Sequence, residues 1–157
     1  PRGPGREPLR ALRRSSFVVI TRKSTGPDHA LLLETKIHQT VPGVPTARVH
    51  LSIADALPAD PVVVVTAIAR PDLLLAQLVH TGANVQTFLA YPDHYAYTTD
   101  DAALIAERVS NRLLVTTAKD AVKLRDLMPA QPLLVIEQQV VFESGEADLL
   151  SAVDRVL

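Results

Sequence analysis

The 157-residue sequence predicts an α/β fold, a mainly parallel sheet with helices on both faces. Three observations lead there. After Pro61 four short apolar runs alternate with amphipathic stretches of helical length. The runs are dense in valine, leucine and isoleucine with little polar alternation, the pattern of strands covered on both faces. Single helices between strands make crossovers, which join parallel neighbours in a right-handed sense.

The elements follow in chain order. Pro1 to Pro8 holds three prolines and two glycines and reads as an extended linker, leading into a short helical stretch from Leu9 to Arg14. Residues 1–16 are taken as linker and short helix, and 17–157 as a single α/β domain. Phe17 to Ile20 is a β-branched run suited to a buried strand. Ser24 or Thr25 is placed to cap a helix carrying Ala30 to Leu33, with Pro27 in its first turn. Prolines and glycine between Val41 and Pro58 break any long period, leaving one short strand, Ala47 to Leu51. Strands are then expected at Val62–Val65, Asn84–Leu89, Leu113–Thr116 and Leu133–Ile136. Helices are expected at Pro71–Thr81, Thr99–Val109 and Ala118–Leu127, with Gly82, Asn111 and Pro129 near their ends. Phe142 ends a short extra edge strand, and a last helix, Glu146–Leu157, follows Gly145.

Composition bounds the class. With 47% hydrophobic and 21% charged residues the chain is globular, and at this length it can bury a core without staples. Cysteine is absent, which excludes disulfides, thiolate metal sites and thiol nucleophiles. No apolar run approaches the roughly 20 residues of a membrane span. The sequence opens on Pro1 and reads as a piece of a longer chain. Net charge is -1, yet residues 1–23 hold seven Lys/Arg against Glu7 alone. Such a segment suits phosphate, anionic lipid or nucleic acid, or is a solvated linker.

Ligands of open parallel sheets bind beyond the carboxyl ends of the strands. Three polar clusters fall there: Thr66 to Pro71 with Arg70, Tyr91 to Tyr97, and Thr116 to Asp120. All three tyrosines sit in the second and surround Asp93-His94. An imidazole ordinarily titrates near neutral pH, so His94 can serve as a general base oriented by the neighbouring carboxylate, or it packs passively while Asp93 caps the next helix. In the third cluster Thr117 and Asp120 have the spacing of a capping box. Lys119 and Lys123, one turn apart, face either an anion at the helix start or solvent. His29, His38, His50 and His80 show no ligand spacing. No Gly-x-x-x-x-Gly-Lys loop, Gly-x-Gly-x-x-Gly turn, Gly-x-Ser-x-Gly elbow or His-Glu-x-x-His motif occurs.

Taken in order, Gly3-Pro4-Gly5-Arg6-Glu7-Pro8-Leu9, Ala67-Ile68-Ala69-Arg70-Pro71, Pro92-Asp93-His94-Tyr95-Ala96-Tyr97 and Thr116-Thr117-Ala118-Lys119-Asp120-Ala121-Val122-Lys123 resemble successive motifs of the tetraacyldisaccharide 4'-kinase family, in its carboxyl-terminal half. The resemblance implies a Rossmann-like, P-loop-kinase-like lobe of an enzyme that moves the γ-phosphate of ATP to the 4'-hydroxyl of the lipid A disaccharide precursor. The family's phosphate loop belongs to its amino-terminal half, so these residues alone are expected to be inactive. The resemblance places His94 and Asp93 at the reacting centre and Tyr97 at the substrate. It places Arg6, Glu7, Arg70, Thr117, Lys119 and Asp120 toward the nucleotide, with Glu7 also toward magnesium. The implied cofactors are ATP and Mg2+. The implied partners are the lipid precursor, the chain's own amino-terminal lobe and the cytoplasmic face of the inner membrane, with no nucleic acid. Two positions depart from the family pattern: Ala67 stands for its usual glycine and Ala118 for its usual glutamate. The reading from another class is a non-catalytic Rossmann-like binding or interaction module.

Overall fold

The computed structural model describes residues 7–22, 29–54 and 57–155. They form two compact units, residues 1–51 with 140–157 and residues 52–139, where the sequence was read as a single domain over 17–157. Arg6 and the expected helix cap at Ser24 or Thr25 lie outside the described residues.

The first unit opens with a 3-10 turn, Leu9–Arg14, as Pro8 and the short basic stretch suggested. Strand β1 (Val18–Arg22) pairs in parallel with β2 (Thr46–Ile53), and β2 neighbours β7 (Gln138–Ser144) in a three-stranded sheet. Helix α1 (His29–Thr40) joins β1 to β2 and runs seven residues beyond the stretch the sequence marked. Its buried contacts are Ala30 and Ile37, which pack with Ile20 and Val44. The spacing of seven brings both onto one face. Arg22 donates to Glu143 at 2.6 Å, and this contact holds the Glu143 carboxyl below the usual carboxylate range. Helix α5 (Glu146–Asp154) closes the unit after Gly145.

The second unit is the four-stranded sheet that the alternation after Pro61 predicts. Its strands β3 (Val62–Thr66), β4 (Val85–Ala90), β5 (Leu113–Thr117) and β6 (Leu133–Ile136) lie in the order β4-β3-β5-β6, every pair parallel. Strand β3 is buried throughout, which explains its unbroken valines. Alternate residues serve opposite faces. Val62 and Val64 pack with Leu74 and Leu78 of α2 (Pro71–His80). Val63 and Val65 pack with Ile105 and Val109 of α3 (Thr99–Val109) and Leu124 of α4 (Ala118–Leu127).

The placement of the helices follows from the strand order. The chain steps from β3 to β4 and then back past β3 to β5. With right-handed crossovers, that reversal moves the following helices to the opposite face. Helix α2 accordingly serves one face, and α3 and α4 the other. The point of reversal, between the carboxyl ends of β3 and β5, is where such sheets open a crevice for ligands.

Candidate functional site

The second unit brings its three polar clusters to one edge, as the fold reading required. Thr66 of β3 pairs with Ala90 of β4, and Val65 pairs with Thr116 of β5, so the three strands end nearly flush. Arg70 and His94 each follow four residues after a strand end, and Thr117 closes β5.

The crevice between β3 and β5 is tied at its base by Asp120. This side chain is fully buried, and its Oδ2 accepts from Thr66 Oγ1 at 3.1 Å, the Ala67 amide at 2.9 Å and Thr117 Oγ1 at 2.8 Å. Thr117 caps α4 by accepting from the Asp120 amide at 3.3 Å. Only this half of the expected capping box forms. The carboxylate reaches across the sheet instead of back to the Thr117 amide. A complete reciprocal box, which sequence reading missed, starts α3: Thr98 accepts from the Asp101 amide, and Asp101 accepts from the Thr98 amide at 2.8 Å.

Above this base stands a charged cluster. Lys119 Nζ lies 3.4 Å from Asp93 Oδ1, and His94 Nε2 lies 3.7 Å from Asp93 Oδ2. Asp93 thus sits between an ammonium and an imidazole that is 77% exposed. His94 has φ of +61°, a left-handed conformation that a non-glycine residue adopts only when its surroundings impose it. Here the surroundings are two backbone bonds to the end of β3: the Tyr91 amide donates to Thr66 O at 2.8 Å, and the His94 amide donates to Ala67 O at 3.3 Å.

The tyrosines form the wall of the same loop. Tyr91, Tyr95 and Tyr97 pack with ring centroids 4.9 to 5.6 Å apart. Lys123 donates to Tyr95 O at 2.7 Å and lies 5.9 Å from the Tyr97 ring, so the two lysines expected to share a role divide. Lys119 faces Asp93, while Lys123 fastens the loop.

Other expected site residues have different surroundings. Tyr97, expected at the substrate, is buried in the core with α3 and α4, and among the described residues its hydroxyl makes no well-formed hydrogen bond. Burial first, and then the charge of Asp120, pushes its phenol well above the usual tyrosine range. Asp120, expected toward the nucleotide, is likewise enclosed and taken up by three protein donors. Arg70 is exposed at the edge and makes two bonds to Asp72, at 2.7 and 3.0 Å, in the first turn of α2. Glu7 belongs to the first unit, where it pairs with Arg14 at 2.6 Å. Thr66 was not singled out from sequence, although a hydroxyl ending a four-valine run was a usable signal.

Beside the charged cluster a cleft of about 430 Å³ is lined by apolar Ile68, Leu74 and Ile136 and by polar Thr117, Lys119 and Glu137. Its volume lies within the range of small-molecule sites. Among the described residues no group of three or more His, Asp or Glu is placed to hold a metal ion.

An open parallel α/β lobe with a histidine, a carboxylate and a lysine beside a cleft at its carboxyl edge has the build of an enzyme lobe with a small-molecule site. Comparison with known proteins makes this particular. The chain belongs to the tetraacyldisaccharide 4'-kinase family, whose model, described as Tetraacyldisaccharide-1-P 4'-kinase, matches residues 1–157. The tetraacyldisaccharide 4'-kinase of Anaeromyxobacter sp. (strain Fw109-5) is 31% identical over 173 residues, covering 100% of this chain and 47% of that protein. That of Bdellovibrio bacteriovorus is 30% identical over 162 residues, covering 92% and 47%. The crystal structure of "apo" form LpxK from Aquifex aeolicus in complex with ATP superposes with a TM-score of 0.63 at 20% identity, over 96% of this chain and 45% of that one. This last likeness establishes the fold. The chain spans about half the length of the curated relatives it matches.

Proposed function

We propose that the chain is the carboxyl-terminal part of a tetraacyldisaccharide 4'-kinase, serving transfer of the ATP γ-phosphate to the 4'-hydroxyl of the lipid A disaccharide precursor. The observation that carries this reading is the Lys119–Asp93–His94 cluster at the carboxyl edge of a parallel sheet, in a chain of this family. Phosphoryl transfer asks for positioning and for charge around the moving phosphate more than for covalent work. His94 orients the acceptor hydroxyl and takes its proton, with the Asp93 carboxylate 3.7 Å away to stabilise the imidazolium that forms. Lys119 and Arg70 border the same edge and supply donors to phosphate oxygens, while Thr117, whose hydroxyl proton goes to Asp120, holds the helix start beside them.

The family resemblance further assigns Arg6 and Glu7 to the nucleotide and its metal. Magnesium takes hard oxygen ligands and is held by one or two carboxylates together with substrate phosphates, so the exposed Glu7 carboxylate suits it as one ligand of several. When bound with ATP, magnesium neutralises charge on the phosphates. The acceptor carries acyl chains, so the reaction belongs at a membrane surface, and the basic segment of residues 1–23 suits an anionic inner leaflet. No described helix is long and apolar enough to cross a membrane.

A direct test is to titrate magnesium ATP into these 157 residues by calorimetry. Without a phosphate loop they lack most of the backbone donors that hold β- and γ-phosphates. A cooperative thermal transition, no turnover and at best millimolar-range binding are expected, because a few side-chain contacts must offset the cost of association. Micromolar binding would show a complete nucleotide site within this chain and overturn the division of labour proposed here.

A further inference from the structure

We infer that Asp120 is a positioning residue: by clamping Thr66 and Ala67 it holds the loop that presents His94 in its left-handed conformation. The inference rests on the proposed role of His94. It starts from a buried carboxylate whose bonds span the sheet. One oxygen takes three donors from two chain segments far apart in sequence, Thr66-Ala67 at the end of β3 and Thr117 before α4. Among the described residues the other oxygen, Oδ1, is buried and accepts no well-formed hydrogen bond, with the Tyr97 hydroxyl as the polar group near the carboxylate. A cap needs only the bond between Thr117 and the Asp120 amide, which does not involve the carboxylate. The carboxylate orients the capping hydroxyl and, through Thr66 and Ala67, also does what no cap requires.

What it serves is visible in the next bonds outward. The Ala67 peptide gives its amide to Asp120 and its carbonyl to the His94 amide. The Thr66 residue gives its hydroxyl to Asp120 and its carbonyl to the Tyr91 amide. Both ends of the segment 91–94 thus hang on the two residues that Asp120 fixes. Within that segment His94 keeps a φ of +61° without being glycine. A histidine in that conformation persists only where neighbouring structure over-determines it. The clamp at 66–67 is that structure, and the exposed imidazole is its output.

The test compares Asp120→Asn with Asp120→Ala. Asparagine keeps one carbonyl oxygen for the three donors and can turn its amide nitrogen toward the Tyr97 hydroxyl, an oxygen able to accept from it. In a full-length family enzyme carrying these residues, Asp120→Asn is expected to retain kcat within about tenfold. Asp120→Ala is expected to lose at least about a hundredfold in kcat, with the ATP KM changed less than about threefold. A second readout needs no activity and uses the 157-residue chain. By NMR, Asp120→Ala should speed amide exchange at Ala67 and Tyr91 at least about tenfold and shift His94 away from its left-handed signature, while Leu78 in α2 stays protected. Asp120→Asn should leave all three near the parent. If Asp120→Ala fails to fold, Thr66→Val removes one donor at nearly constant volume and should move Tyr91 and His94 the same way, by less.

Asparagine as damaging as alanine, with Ala67 and Tyr91 still protected, would mean that the Asp120 charge acts on nucleotide or metal, and would overturn the clamp. Unchanged exchange and an unchanged His94 signature in all variants would overturn it too. If the parent enzyme moves no phosphate but the exchange pattern follows the clamp, the proposed function fails while the positioning stands.

Discussion

Replacing His94 by alanine in a full-length family enzyme carrying these residues is expected to lower kcat by roughly 10²- to 10⁴-fold, the usual scale for a positioned proton-transfer group. The expectation rests on geometry. The imidazole is 77% exposed at the carboxyl edge, it stands 3.7 Å from the Asp93 carboxylate, and the backbone that presents it has a φ of +61°. The ATP KM should change less than about threefold, because Lys119, Thr117 and Arg70 reach that edge from other elements. Steady-state kinetics at saturating acceptor check this. A kcat within threefold or so of the parent would reduce His94 to a loop residue without a part in proton transfer.

Gly145→Ala is expected to destabilise the first unit strongly. Gly145 has φ of +77°, and a Cβ built there would lie 2.3 Å from the Thr46 carbonyl oxygen and 2.8 Å from Ala47 Cα. Both atoms are backbone of β2, the middle strand of its sheet, and Ala47 is fully buried, so the neighbour has nowhere to go. Left-handed strain and overpacking together cost roughly 2 to 5 kcal/mol, a Tm drop on the order of 10 °C. Gly82→Ala is the internal control. Its φ is +81°, yet no atom lies within 4 Å of the added Cβ, so only the backbone strain of about 1 kcal/mol applies. Thermal denaturation of both variants separates the terms. Equal losses would show that the close approach to β2 relaxes freely.

The strands of the second unit were legible to within a residue because each is a short apolar run bounded by a helix with its own stop signal. Hydrophobic pattern reports that a strand is buried, but not which sheet it joins. Strand β7 begins two residues after β6 ends, yet it neighbours β2, and residues 140–157 group with 1–51. Nothing local to Gln138–Ser144 signals that choice. The same distinction governs the site. That Arg70, His94 and Thr117 share an edge followed from parallel strands alone. The roles of the two Thr-x-x-Asp segments did not, since Thr98/Asp101 and Thr117/Asp120 have the same spacing. The first closes on itself at an exposed helix start. The second lies beside the end of β3, where Thr66 and Ala67 offer donors that only the folded sheet brings near.

The central claim is that this edge serves phosphoryl transfer to a lipid-linked sugar hydroxyl. The measurement that bears on it most directly is incubation of γ-labelled ATP and tetraacyldisaccharide 1-phosphate with a full-length family enzyme carrying these residues. The label on the product should be located by mass spectrometry. Label at the 4'-oxygen, formed by the parent and reduced at least a hundredfold by His94→Ala, is the predicted result. Label that stays on ATP or inorganic phosphate with the parent enzyme, or that reaches the 4'-oxygen equally well without His94, would contradict it.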